Sequence, residues 1–378
     1  MGAITTRFGT VNPLNVKGEN SLSVVWLMMK PRLSGITYRW DYDLPLYCVP
    51  TARDQGAGCS KRRCWAILST NIRPGEKNIV GYARPNPVLR RLGLSDTDRV
   101  VLIHTDDIGM CQASVSAFQE LWEAGAVSCG AAMVPCGWFN AAADYCKANP
   151  AVDMGVHATL TSEWQAYRWG PLTAEAISGG LVDEGHRFHT TSEAVAEKAD
   201  PAAVKAELEA QFSRAEAAGI DVTHMDTHMG SVMHGPLYEV FADIALAHGV
   251  PPFALRLTAQ QWAKGGYGAE TSETLARRIT QLEEDGVPTL DRILSVTLAD
   301  EEDRIGRTKR ALSSIQPGQV SYFILHPSHD TPELRGLCPD WRSRVMDLEM
   351  FLSGEMADHL KAENIQVIGY RSLKALMP

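Results

Sequence analysis

From Arg99 to the C-terminus, short β-branched runs alternate with amphipathic stretches, an alternation that few folds can accommodate. Strands are expected near 99–105, 127–133, 152–158, 220–226, 253–257, 293–298, 320–326 and 365–370. The helices between them have recognisable ends. Asp200 caps one, Pro201 takes its first position, Val204, Leu208 and Phe212 form its apolar stripe, and Gly219 closes it. Val115, Phe118, Leu121 and Trp122 share a face of another before Gly125. The expected fold is α/β: a parallel (β/α) barrel, or a barrel-like variant, of seven or eight strands. An open doubly wound sheet would collect its polar residues near one switch point. Here polar clusters recur at the C-terminal ends of several strands, where the loops of a barrel converge.

Residues 1–85 differ in texture, with Gly, Pro, Arg and scattered Trp but no sustained period. An irregular N-terminal extension with little regular structure, disorder included, is expected there, and the folded domain over 86–378. The extension is either an ordered cap or, the favoured reading, an upstream stretch read through from a misplaced start. The formal net charge of −9 comes from interspersed acids and bases without a basic block, which argues against nucleic acid and for a small neutral or cationic substrate. The apolar run SLSVVWLMMK is cut short by Lys30 and Pro31, so neither export nor a membrane is expected and the cytoplasm is the default. The eight cysteines form no finger-like pairs: Cys59 and Cys64 are isolated, and the others fit buried thiols of a reducing compartment.

Four strand ends carry side chains able to hold a metal or move protons. The segment VVLIHTDDIGMCQAS, 100–114, runs from an apolar strand into Asp106 and Asp107. Adjacent acids at a strand end can diverge, leaving Asp107 to bind a cation and Asp106 to accept a proton from water on it; an Asx turn or a helix cap before 112–125 would use the same residues. In the run from His224 to His228, period two puts His224, Asp226 and His228 on one face of an extended strand. His228 is then a candidate ligand, with Asp226 orienting an imidazole from behind. His157 ends Met154-Gly155-Val156-His157 and alone would equally be a core histidine. With Asp107 and His228 it completes a set of two imidazoles and one carboxylate that leaves coordination positions open.

That set suits Zn2+ or another borderline divalent ion, since Mg2+ prefers more oxygen ligands. Such an ion lowers the pKa of its water to about 7, so an aspartate of ordinary pKa, about 3.9, suffices as the base. His326, followed by Pro327, is the candidate proton donor to a departing amine, because imidazole titrates near neutrality. Trp164, Tyr167 and Trp169 lie in SEWQAYRWGPL just after His157, and either stack on a sugar face or pack the loop. Arg256 ends another strand, while Trp341, Arg344 and Asp347 recur on one expected helix. Each of these binds substrate or closes an ion pair, and structure is favoured for the last three.

At these residues the chain resembles the YdjC-like, or ChbG-type, carbohydrate deacetylases. Their DD[FI]G strand end, G-x-H-x-x-L segment, D-[ST]-H element and late HP read here as Asp106-Asp107-Ile108-Gly109, Gly155-Val156-His157-Ala158-Thr159-Leu160, Asp226-Thr227-His228 and His326-Pro327. The resemblance covers roughly 86–378 and implies a β/α-barrel-type fold and metal-dependent removal of acetyl from an N-acetylated sugar, with chitooligosaccharides as the family-level substrate. It also implies Asp106 as base, Asp107, His157 and His228 as metal ligands, and His326 as proton donor. The implied ion is Mg2+, whereas the ligand types suit Zn2+. Many relatives continue the third motif as D-S-H-x-H, and Gly230 stands here in place of that second histidine. The expected partner is a small carbohydrate, with no nucleic acid and no membrane, and a homodimer is left open. Two other readings stand beside the enzyme: a sugar-binding or regulatory protein retaining the site without catalysis, and a metal hydrolase of another amide or an ester.

Overall fold

The computed structural model describes residues 84–299 and 301–378. All but the last two residues of the extension expected over 1–85 lie outside the described residues, as do Cys59 and Cys64. Seven parallel strands form one sheet: β1 (Arg99–Ile108), β2 (Cys129–Ala132), β3 (Met154–Ala158), β4 (Val222–Thr227), β5 (Arg292–Leu294), β6 (Val320–Leu325) and β7 (Ile365–Val367). Their order is β4-β3-β2-β1-β6-β5, and β7 also pairs with β1. β1 is long enough to serve three neighbours. It pairs with β6 over Val100–Thr105, with β7 at Arg99–Val101 and with β2 from His104 onward.

The two ends of this row are joined through residues 251–256. Phe253 N donates to Met225 O at 2.8 Å, and Arg256 N donates to Leu290 O at 2.7 Å. Parallel bridges Met225↔Pro252 and Leu255↔Leu290 complete the ring. The strand expected near 253–257 is therefore this linking segment, and the barrel-like architecture follows from it. β1 is buried from Val100 to Ile108, as a parallel strand covered on both faces must be.

The expected helix signals act as physical stops. In the helix Pro201–Ala217, Asp200 accepts a hydrogen bond from Ala202 N, and Val204, Leu208 and Phe212 are buried. Gly219 follows with φ 96°, a backbone turn that costs glycine nothing sterically. The helix Gln112–Glu123 buries Val115, Phe118 and Leu121, with Trp122 half-covered at its margin. Among the described residues no helix is long and apolar enough to cross a membrane, and the five cysteines are free and buried.

Arg256 corrects an expectation. Rather than reaching the C-terminal face, it is buried; its Nη1 donates to Asp291 Oδ1 at 2.8 Å and its Nε pairs with Glu283. Asp291 Oδ2 also accepts from Val320 N at 2.7 Å and from Asn86 Nδ2 at 2.9 Å, at the start of β6. This cluster ties the linking segment to the opposite end of the ring. Asp291→Ala should destabilise the protein by about 3–5 kcal/mol, because it leaves a buried guanidinium short of a partner. Urea unfolding of the variant checks this, and an unchanged midpoint would contradict it.

A candidate metal and acid-base site at the C-terminal face

Neighbouring residues of a regular strand face opposite sides. β1 departs from this rule at its C-terminal end. Its pairing with β2 shifts register between Thr105 and Ile108, and Asp107 has φ 59°. The irregularity brings the carboxylates of Asp106 and Asp107 to one cavity of ≈ 280 Å³. A left-handed aspartate costs on the order of 1–3 kcal/mol. Arg344 Nη1, donating to Asp107 Oδ2 at 2.8 Å, holds it in place.

His157, His228, His326 and Trp164 line the same cavity. β4 stops at Thr227, and His228 begins a 3-10 turn whose Met229 has φ 53°. The expected single strand face therefore holds only for His224 and Asp226, and His228 reaches the cavity from the turn. Its Nδ1 lies 3.1 Å from Asp107 Oδ1, and His157 Nε2 lies 3.6 Å from the same oxygen. The three residues offer ligand atoms all within 4.8 Å of one another. Asp107 Oδ1 is buried without a hydrogen-bond partner. An orphaned carboxylate oxygen facing two imidazole nitrogens is the arrangement a cation satisfies.

The far side of each imidazole is also occupied. His157 Nδ1 is 3.2 Å from Asp226 Oδ2, which accepts from Tyr322 Oη at 2.8 Å. His228 Nε2 is 3.1 Å from Glu163 Oε2. Such partners fix ring orientation and raise ligand basicity. His104, Asp106 and Asp226 form a second group of suitable composition. Their facing atoms are already committed: His104 Nδ1 to Asp106 Oδ1 at 2.7 Å, and Asp226 to Tyr322.

Burial alone would raise the Asp107 pKa, but Arg344 and the two imidazoles hold the carboxyl well below its usual range. Burial works the other way on His228, yet Glu163 and Asp107 override it and push the imidazole up to about 9. Burial likewise disfavours charge on His157, and Asp106, Asp107 and Asp226 outweigh it. His326 is the exception. Burial lowers its pKa despite the nearby aspartates, which keeps the ring neutral near pH 7. Its Nε2 is 3.9 Å from Asp106 Oδ2, and its backbone N donates to Asp347 at 3.1 Å.

Of the three loop aromatics only Trp164 lines the cavity. Trp169 is buried behind His228, ring centroids 6.0 Å apart, and its Nε1 donates to Thr161 O at 2.8 Å. Tyr167 Oη accepts from Gly137 N at 3.2 Å. Packing the loop thus describes these two. Arg344 and Asp347 close the ion pairs favoured for them, Arg344 with Asp340 at 2.9 Å and Asp347 with Arg304 at 2.7 Å. Trp341 stacks under Arg335 and Arg342. Sequence reasoning missed Glu163, for which the acid beside Trp164 was a usable signal. It also missed the bond from Arg344 to Asp107, which no local pattern marks.

At pH 7 the free imidazole of His228, with its raised pKa, carries a proton that any ion must displace. Titration with Zn2+ by calorimetry in buffers of different ionisation enthalpy should show at least one proton released at pH 7 and few above about pH 9, with affinity rising across that interval. A flat pH dependence would remove His228 from the ligand set.

Comparison with known proteins places the chain in a family. The family model described as YdjC-like protein matches residues 100–362. A carbohydrate deacetylase of Thermus thermophilus is 32% identical over 264 residues, covering 69% of this chain and 88% of that protein. A carbohydrate deacetylase of Thermoanaerobacter pseudethanolicus is 21% identical over 276 residues, covering 73% and 100%. The fold is shared with a crystal structure from Enterococcus faecalis V583, a candidate cellobiose-phosphate cleavage protein, at TM-score 0.60 and 22% identity, covering 73% of this chain and 99% of that one.

Proposed function

Since the chain belongs to the YdjC-like protein family, we propose that it is a metal-dependent carbohydrate deacetylase that hydrolyses the acetamido group of an N-acetylated sugar, of chitooligosaccharide type, to amine and acetate. The observation that carries this reading is the buried, unpartnered Asp107 Oδ1 facing His157 and His228, with Asp106 beside it outside the ligand set. Asp107, His157 and His228 would hold the ion. Two imidazoles and one carboxylate favour Zn2+ over Mg2+. When bound, the ion acidifies water and stabilises negative charge developing on the acetyl carbonyl oxygen.

Asp106 accepts a proton from the attacking water as the new C–O bond forms. His326, neutral at rest and 3.9 Å from Asp106 Oδ2, relays that proton to the nitrogen as the C–N bond breaks. Both side chains then return to their starting states. Trp164 offers an aromatic face to the sugar ring, and the Arg344 guanidinium 5.4 Å from its ring centroid and the Trp169 ring at 5.5 Å keep it in place.

Acetate release from an N-acetylated oligosaccharide panel tests the reading. Asp106→Asn should lower turnover by about 10²-fold or more while retaining bound metal, whereas His228→Ala should lose both. Equal metal loss in the two variants would overturn the division of roles. Tight sugar binding with no acetate from the wild-type protein across the panel would favour the non-catalytic alternative. Trp164→Ala should raise KM with kcat little changed, and an unchanged KM would remove it from the sugar site.

A further inference from the structure

A row of buried polar groups leads from Asp106 away from the cavity, through the middle of the barrel. Asp106 Oδ1 lies 2.7 Å from His104 Nδ1, and His104 Nε2 lies 2.9 Å from His224 Nε2. His224 Nδ1 is 2.9 Å from Thr223 Oγ1, which donates to Asp153 Oδ1 at 2.5 Å. Asp153 Oδ2 accepts from Arg371 N at 2.7 Å. His104, Thr223 and His224 are fully buried.

The rings have little freedom to turn. Tyr370 stacks on His224 at 3.8 Å with the planes 10° apart, and the Tyr322 ring is 4.7 Å from His104. Gly155 leaves the space that His224 fills, since a Cβ there would lie 2.6 Å from its Nε2. The four junctions from Asp106 to Asp153 need four hydrogens. Thr223 and two neutral imidazoles bring three. The chain therefore closes only with one further proton, held somewhere along it. If Asp106 is to remain an ionised base, that proton rests on His104 or nearer Asp153. In either case His104 donates from Nδ1 to Asp106 Oδ1.

We propose that His104 is a positioning residue, held by His224, that commits Oδ1 of Asp106 to a buried hydrogen bond and leaves Oδ2 as the oxygen that takes the proton from water. Oδ2 is the oxygen that faces the site, 3.8 Å from His157 Nε2 and 3.9 Å from His326 Nε2. The kinetic consequence rests on the deacetylase reading; the hydrogen bond itself does not.

Two measurements test the proposal. In the metal-loaded enzyme acting on an N-acetylated chitooligosaccharide, His104→Leu should lower kcat by about 10- to 100-fold with KM and metal stoichiometry unchanged. His104→Asn, whose amide can stand where Nδ1 stood, should recover most of the loss. Wild-type turnover in His104→Leu, or loss of metal in step with kcat, would overturn the proposal. Independently of activity, 15N histidine spectra of the wild-type protein at neutral pH should show His104 Nδ1 protonated, and a bare Nδ1 would overturn it. Should wild-type protein release no acetate, the deacetylase reading falls, and this spectrum alone then decides the positioning bond. The same holds if His104→Leu does not fold.

Discussion

The left-handed backbone at Asp107 is the constraint on which the C-terminal face depends. In an unbroken strand Asp106 and Asp107 would point to opposite sides of the sheet, and the two carboxylates would never share a cavity. The register shift after Thr105 removes that separation at a conformational cost. Arg344 offsets it through a buried charge-assisted bond to one oxygen of Asp107, leaving the other unpartnered. The guanidinium thereby selects which oxygen is available to a cation. Because Arg344 also bonds Asp340, the N-cap of its own helix, Trp341–Leu352, Asp107 is anchored to an element far away in sequence.

Behind this face the barrel interior is polar to an unusual depth. His104, Asp226, Tyr322, His224 and Tyr370 occupy positions that aliphatic side chains fill in many barrels. The polar groups of His104, His224, Asp226 and Tyr322 are paired, which makes their burial tolerable, whereas the Tyr370 hydroxyl is buried without a hydrogen-bond partner. Tyr322 illustrates the economy of the arrangement. Its hydroxyl fixes Asp226, which faces His157, while its ring packs against His104, which faces Asp106. One side chain therefore braces both the His157 side and the Asp106 side of the site.

Much of this was legible in the chain. Strands buried on both faces read as continuous apolar runs, which marked β1 and β6, and β3 and β4 also lie close to their expected places. The four strand-end motifs likewise identified Asp106, Asp107, His157, His228 and His326, which do line one cavity. What failed was any inference that needed an exact local path. His228 leaves the strand face because β4 ends one residue earlier, and Arg256 turns to Asp291 because the linking segment closes the ring. The contacts of Glu163 with His228, of Arg344 with Asp107 and of His104 with Asp106 went unread for a different reason. No local periodicity encodes such a contact.

The electrostatics of the site suggest how it exists with and without an ion. Four carboxylates, Asp106, Asp107, Asp226 and Glu163, crowd two imidazoles and one guanidinium, an excess of negative charge that a low-dielectric pocket does not tolerate uncompensated. Raised pKa values on His157 and His228 relieve it, since their protons supply the missing positive charge. Asp107, His157 and His228 would hold a divalent ion, whose charge would take the place of those protons. Loading the site would then be an exchange of charge carriers among side chains that Arg344, Glu163 and Asp226 also hold.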